Sequence, residues 1–195
     1  HMQGLGSLGE IAVEKRKIFS SFASDNIGII NGDQDVISQV GYPFPVIRFG
    51  RKTTNQIQAR KIKVEGGCIT FVLKLYRSKY LITLPHTHEG MINNVLAAIS
   101  IAYLLGVDQT TIVNTIPYLP RTAQRFEICP LKDKKGVLID DCYNASPESV
   151  KAALTAFEHM ECSGKKIAVL GDMLELGKDA YFLHRQLALT IAEFA

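Results

Sequence analysis

The stretch 57–84 constrains the fold more than any other part of the chain. It holds three runs in which apolar and polar residues alternate, broken at Gly66-Gly67 and again at Arg77-Ser78-Lys79. Side chains alternate across a strand with period two, so each run buries one face, and the short breaks force neighbouring strands to run antiparallel. The expectation is a three-stranded meander. Its flanks do not read as all-β. Upstream, Ile27-Gly28-Ile29-Ile30 and Val46-Ile47-Arg48-Phe49 are short apolar runs of the kind that form buried strands, with an Asn31-Gly32-Asp33 turn between them. A helix over 8–22 precedes them, with Ile11, Ala12, Ile18, Phe19 and Phe22 on one stripe. Downstream, Ile92, Val95, Leu96, Ile99 and Tyr103 recur at helical spacing up to Gly106, and Asp108 can cap a further helix that closes near Pro117. The meander is therefore a small antiparallel β insert in an α/β chain.

Two prolines and a polar turn between 117 and 125 mark a domain boundary, dividing the chain into 1–120 and 121–195. Beyond it the pattern is strand, helix, strand, helix. Gly136-Val137-Leu138-Ile139 is a candidate central strand, and Lys166-Ile167-Ala168-Val169-Leu170 a second. A parallel sheet of two strands would leave its edges and faces uncovered, so this part is expected to be half of a doubly wound domain and the chain a fragment. With 47% hydrophobic content, 195 residues suffice for one sizeable core or two small ones.

Composition removes several function classes. The formal net charge is +3, with lysines and arginines scattered among acids apart from groups such as Arg60-Lys61-Lys63, so nucleic acid is not an expected partner. The longest apolar run, 95–107, contains Ser100 and is too short to cross a bilayer. No basic-then-apolar start marks a signal peptide, which leaves the cytoplasm as the expected compartment and no membrane insertion. Cys68, Cys129, Cys142 and Cys162 form no Cys-x-x-Cys pair, so they are expected to be reduced, semi-buried core residues rather than zinc ligands or a disulfide framework.

The chemistry is concentrated in Ile139-Asp140-Asp141-Cys142-Tyr143-Asn144-Ala145-Ser146-Pro147. Two aspartates stand at the carboxyl end of a strand, where open α/β sheets bind ligands. Ser146 then reads as an N-cap and Pro147 as the first helical residue, with Val150, Ala153, Leu154 and Phe157 behind them at helical spacing. The free N–H groups of such a helix seat an anion, and aspartates can bind ribose hydroxyls or a metal. A helix cap beside a solvated turn would have the same sequence. A second point of interest is Lys15, which a helical wheel places amid Ile11, Ile18, Phe19 and Phe22 while Arg16 and Lys17 point outward. An amine desolvated there, beside other positive charge, is more often neutral and nucleophilic, fit to act as a base, form a Schiff base or take up carbon dioxide as a carbamate. A lysine snorkelling from the edge of the stripe is the other reading.

Three segments together resemble the Mur ligases, and within that family the branch that adds D-alanyl-D-alanine. Gly4-Leu5-Gly6-Ser7-Leu8 after His1, followed by Lys15-Arg16-Lys17-Ile18-Phe19, is similar to the family's stretch from a metal-binding histidine to a carbamylated lysine. Asp140-Asp141-Cys142-Tyr143-Asn144-Ala145-Ser146-Pro147 is similar to Asp-Asp-x-Tyr-Asn-Ala-Asn-Pro, with Ser146 in place of the second Asn. Leu170-Gly171-Asp172-Met173-Leu174-Glu175-Leu176-Gly177, with His184 after it, resembles a signature of that branch. Three matches in register make coincidence a poor explanation.

The resemblance implies part of a P-loop-type central ATPase domain followed by the first half of a Rossmann-like C-terminal domain. It implies ATP and Mg²⁺ as cofactors, with UDP-N-acetylmuramoyl-tripeptide and D-alanyl-D-alanine as substrates joined through an acyl phosphate. Residue by residue, it gives Lys15, as a carbamate, and His1 as metal ligands, although His1-Met2 is also what a cloning scar would leave. It gives Arg125 as the arginine that reaches the ATP phosphates and Asp141 as the carboxylate on the nucleotide ribose. Asn94 aligns with a nucleotide-binding asparagine. Tyr143, Asn144, Asp172 and Glu175 fall near the acceptor or closure cleft. In the pattern Gly-x-His-Asn-x-x-Asn-Ala-Leu-Ala-Ala, this chain has Gly90-Met91 where the family has the His-Asn pair that helps hold adenine. His86-x-His88-Glu89 reads as a solvated turn rather than a metal site. No Gly-x-x-x-x-Gly-Lys-Ser/Thr loop is present, so the chain alone is expected to be inactive. The rival enzymes are other ligases of the superfamily, against which Tyr143-Asn144 and Gly171-Asp172-Met173 argue. A rival of another class is a non-catalytic binding module that retains the fold.

Overall fold

The computed structural model describes residues 7–65, 67–86, 89–119, 123–132 and 136–193. The described residues divide into two compact units, one within Leu5–Leu119 and one within Pro120–Ala195.

The first unit is built on one five-stranded sheet in the order β1-β2-β3-β4-β5: β1 (Gly28–Asn31), β2 (Val46–Gly50), β3 (Ile57–Glu65), β4 (Cys68–Leu75) and β5 (Ser78–Leu84). β1, β2 and β3 run parallel, pairing Gly28 with Val46 and Phe49 with Ile57, whereas β3, β4 and β5 form the antiparallel meander. The meander is thus continuous with the parallel strands rather than set apart from them, because β3 serves both halves. β4 shows why: Ile69, Phe71, Leu73 and Leu75 alternate with less buried neighbours and are fully buried. They meet helix α3 (Gly90–Leu104), whose Ile92, Val95, Leu96 and Ile99 are buried at helical spacing, and helix α4 (Gln109–Thr115) with Ile112. Asp108 caps α4 by accepting from the Thr111 N–H at 2.9 Å. β3 contains one extra residue between the pairs Arg60–Val72 and Lys63–Thr70, and Lys61 takes a left-handed φ of 52° there, which is the geometry of a β-bulge.

The first helix departs from expectation. α1 spans Leu8–Arg16 and gives way to a 3-10 turn at Lys17–Phe19, and the one-turn helix α2 (Asp35–Ser38) follows β1. The predicted continuation to 22 fails because Phe19 and Phe22 turn into a ring cluster with Tyr42 and Phe44, centroids 5.0 to 5.7 Å apart, leaving Ile18 73% exposed. An edge-to-face aromatic cluster competes well with continuing one helix stripe.

The second unit contains a two-stranded antiparallel pair, β6 (Glu127–Pro130) and β7 (Val137–Asp140), then helices α5 (Pro147–Glu158) and α6 (Ala180–Glu193), which pack on each other. Two expectations are corrected. β7 is not a buried central strand, since Val137 and Leu138 are more than half exposed. Residues 166–170 form no strand, and Ile167 and Val169 are 74% and 92% exposed. Their β-branched composition suits a strand, but a strand exists only where a neighbour takes up its N–H and C=O groups, and no described strand lies beside them.

Candidate functional site

In the first unit, the carboxyl ends of parallel strands β1 and β2 lie together, the place where open α/β sheets bind ligands. Asp33 organises this end: its carboxylate accepts from the Arg51 N–H at 2.7 Å, the Lys52 N–H at 3.0 Å and Asn55 Nδ2 at 3.0 Å. Gly50, at φ +147°, lets the chain pass the carboxylate, since a Cβ there would fall 2.4 Å from Asp33 Oδ1. Arg51 then donates to Glu89 Oε2 at 2.8 Å and to the Glu89 carbonyl, tying this loop to the start of α3, which has no side-chain N-cap. Lys52 pairs with Asp35 at 2.6 Å, and that hydrogen bond with the ammonium charge holds the Asp35 carboxyl below its usual range. The sequence marked only a turn at Asn31-Gly32-Asp33. The missed signal was an acid just past a parallel strand.

Several predicted site residues lie elsewhere in this unit. Lys15 sits in the last turn of α1 and is exposed. The desolvation argument for it therefore fails, because Ile18 and the phenylalanines leave the helix line before they can cover it. Asn94 is exposed on α3 and donates to Met91 Sδ at 3.8 Å. His1 and His88 fall outside the described residues. His86 is half-buried and Glu89 is bound to Arg51, so the turn reading of that segment is only partly solvated.

In the second unit, Arg125, Asp141 and Tyr143 lie in one loop cluster. Asp141 Oδ1 accepts from the Phe126 N–H at 3.0 Å, Glu127 Oε2 from the Gln124 N–H at 3.0 Å, and the Gln124 carbonyl from the Tyr143 N–H at 3.4 Å. These bonds hold Gln124 and Phe126 in left-handed backbone, φ 58° and 51°, on either side of Arg125. Two such non-glycine residues cost roughly 1–3 kcal/mol each and persist only where surroundings impose them, as at binding sites. Arg125 is thereby presented over the Tyr143 ring, 4.4 Å from its centroid. Both are exposed, and Asp141 is half-buried.

Ser146 caps α5 as predicted, in a reciprocal box with Ser149. Asn144 Oδ1 accepts from the Ala145 N–H at 2.9 Å. Hydrogen bonding to the Asp140 carboxylate, then partial desolvation and the charges of Asp140 and Asp141, push the Cys142 thiol up. Cys142 and Cys162 are exposed rather than semi-buried, and all four cysteines are free.

Asp172 and Glu175 do not end a strand. They lie in an irregular segment anchored by buried Met173 and Leu176, and Glu175 adopts φ 61°. His184 fastens this segment to α6: its Nε2 accepts from the Met173 N–H at 3.0 Å and its Nδ1 lies 2.7 Å from the Ala180 carbonyl. That pattern assigns the neutral Nδ1–H tautomer, so the Asp172 carboxylate 3.9 Å away is a neighbour rather than an ion-pair partner.

The model of the Mur ligase middle domain matches residues 1–102. The chain belongs to the Mur ligase family. A second model, the Mur ligase glutamate ligase domain, matches 124–195. Among curated relatives, UDP-N-acetylmuramoyl-tripeptide–D-alanyl-D-alanine ligase of Bacillus subtilis (strain 168) is 33% identical over 98% of this chain and 41% of its own length. The protein of the same name from Escherichia coli (strain K12) is 30% identical over 95% of the chain and 41% of its own length. The chain thus spans about two fifths of these relatives. Solved Mur ligases share the fold. MurF from Acinetobacter baumannii superposes with TM-score 0.84 at 23% identity, covering 99% of this chain and 42% of that one. MurF from Thermotoga maritima in complex with ADP gives 0.82 at 25%, covering 98% and 44%.

Proposed function

We propose that the full-length protein is an ATP-dependent ligase that joins UDP-N-acetylmuramoyl-tripeptide to D-alanyl-D-alanine in peptidoglycan precursor synthesis. The observation that carries this reading is the 33% identity to the Bacillus subtilis ligase across 98% of the chain. The constrained Arg125 loop supports it. A carboxylate is a poor electrophile, and phosphorylation gives it a leaving group. A carboxylate oxygen of the tripeptide attacks the γ-phosphorus, ADP departs, and the dipeptide amine attacks the resulting acyl phosphate. The amine loses a proton, the C–O bond breaks and phosphate leaves with the bridging oxygen. Negative charge builds on the phosphoryl oxygens in both steps, and a positioned arginine at a transferring phosphoryl group is worth roughly 10³–10⁵ in rate. Arg125 is proposed for that role, because a guanidinium fork is always charged and matches phosphate oxygens. Asp141, with Oδ1 engaged, offers Oδ2 to the ribose hydroxyls. Asn94 is proposed on the nucleotide, and Tyr143, Asn144, Asp172 and Glu175 near the acceptor.

For Mg²⁺ the fit is incomplete. Among the described residues no three His, Cys, Asp or Glu side chains converge on a metal site, and Lys15 binds metal only once carbamylated. Lys15 remains the proposed carbamate, testable by Lys15→Ala and rescue with short carboxylates.

The test is ADP release by the purified full-length protein with UDP-N-acetylmuramoyl-tripeptide and each of several acceptors. Turnover is expected with D-alanyl-D-alanine and not with single amino acids. Preference for a single amino acid would point to another ligase of the family, and no turnover with any acceptor to a binding module.

A further inference from the structure

The outer face of β3, β4 and β5 carries a charge distribution that the ligase reading does not use. The helices of the first unit pack on the opposite face, against Ile69, Phe71, Leu73 and Leu75. Outward, the register sets Lys74 directly across from Lys79, Arg60 in a row with Val72 and Leu81, and Lys63 in a row with Thr70 and Thr83. Lys61 is exposed at the bulge, and the one acid in the outward register is Glu65 at the far end. Arg60, Lys63, Lys74 and Lys79 against Glu65 give +3, the formal charge of the whole chain, so the remainder is balanced and the excess positive charge is concentrated here. None of these three lysines has an ion-pair partner among the described residues. Like charges directly opposite on a sheet destabilise it, so Lys74 beside Lys79 is a local cost that an external anion would relieve. On β5, the edge strand of this face, Leu81 stands 75% exposed between Lys79 and Thr83 in the outward register.

We propose that this face docks on an anionic membrane surface, with the lysines over the headgroups and Leu81 entering the interface. The composition favours that partner over the other polyanions. Single strands of nucleic acid are held by stacking on aromatic rings, and no aromatic side chain faces outward here. Duplex grooves admit a helix or a two-stranded ribbon, not the broad face of three strands. Protein interfaces are depleted in lysine and enriched in Tyr, Trp and Arg. Hydrated lysine ammonium groups around one aliphatic side chain suit a diffuse anionic layer, where each basic residue contributes about fivefold in binding. No helix of the described residues is long and apolar enough to span a bilayer, so the attachment is peripheral and reversible.

The test is co-sedimentation of the chain, and of the full-length protein, with vesicles of pure phosphatidylcholine or of phosphatidylcholine containing about a third phosphatidylserine. Binding is expected only to the anionic vesicles and is expected to weaken steeply with salt. Lys63→Glu/Lys74→Glu/Lys79→Glu is expected to weaken it more than a hundredfold, on the order of fivefold per lysine, and Leu81→Ser to lower the part that survives high salt. The charge-matched control Lys151→Glu/Lys165→Glu/Lys178→Glu should bind like the parent. If the glutamate set unfolds, the glutamine set at the same positions takes its place. Equal binding to neutral vesicles, or equal loss in the control, would overturn the proposal. So would soluble polyglutamate that binds as tightly and displaces the vesicles, since the face would then serve an acidic polypeptide.

Discussion

Gly32→Ala is expected to destabilise the first unit through one contact. A Cβ at position 32 would lie 1.9 Å from Asn55 Oδ1, 2.9 Å from Asn55 Cγ and 3.1 Å from Arg48 Cβ. Asn55 cannot simply swing aside, because it is 3% exposed and its Nδ2 donates to Asp33 at 3.0 Å. Displacing it forfeits a hydrogen bond to a charged group, about 1.5–3 kcal/mol, and overpacking adds about 1–3 kcal/mol. The stiffer unfolded chain returns about 0.4–1 kcal/mol, for a net loss of roughly 1.5–5.5 kcal/mol. With a urea m-value of about 2 kcal/mol/M the midpoint should fall by about 1–3 M. Gly41→Ala is the control, since nothing lies within 4 Å of its Cβ position, and it should stay within about 0.5 kcal/mol of the parent. Asn55→Ala removes the obstacle, so the double variant Gly32→Ala/Asn55→Ala should be clearly more stable than the two single losses added together. A Gly32→Ala chain as stable as the parent, or strictly additive losses, would refute the packing argument.

Three smaller outcomes can be checked alongside. Ser146→Ala should cost about 1 kcal/mol of unfolding free energy, the usual value of an N-cap, with Ser146→Asp retaining most of it. Asp140→Asn should lower the pH at which iodoacetamide alkylation of Cys142 reaches half its limiting rate, because the carboxylate that accepts from the thiol and repels the thiolate is gone. Arg51→Ala should speed amide exchange over 90–94 at the start of α3 while costing less than about 1 kcal/mol, since the pair with Glu89 is substantially exposed on both sides.

The sequence was most legible where local periodicity and tertiary burial agree. Alternation in Cys68–Leu75 carries through to a strand whose every second residue is fully buried, and Ser146-Pro147 reads directly as a cap. It failed where a distant partner decides. Lys15 looked covered on an ideal helical wheel, yet the helix ends at Arg16 because Phe19 and Phe22 find Tyr42 and Phe44, and no periodicity within 8–22 encodes that encounter. Residues 166–170 carry strand-forming side chains, but backbone pairing is a property of two segments, and only one is present in the pattern. In the candidate sites, Arg125 and Asp141 were visible as residues but not as an arrangement. The left-handed backbone that presents Arg125 depends on Asp141 and Glu127 carboxylates reaching back to N–H groups, a relation that spacing alone does not reveal.

Activation of the tripeptide carboxylate by phosphorylation, with Arg125 serving the transfer, leaves an isotopic trace. The most direct measurement uses UDP-N-acetylmuramoyl-tripeptide labelled with ¹⁸O in its terminal carboxylate, incubated with ATP, D-alanyl-D-alanine and the full-length protein. Inorganic phosphate should acquire a single ¹⁸O for each amide formed, and Arg125→Ala should slow label transfer and amide formation together without lowering thermal stability. Amide formation with unlabelled phosphate would rule out an acyl phosphate.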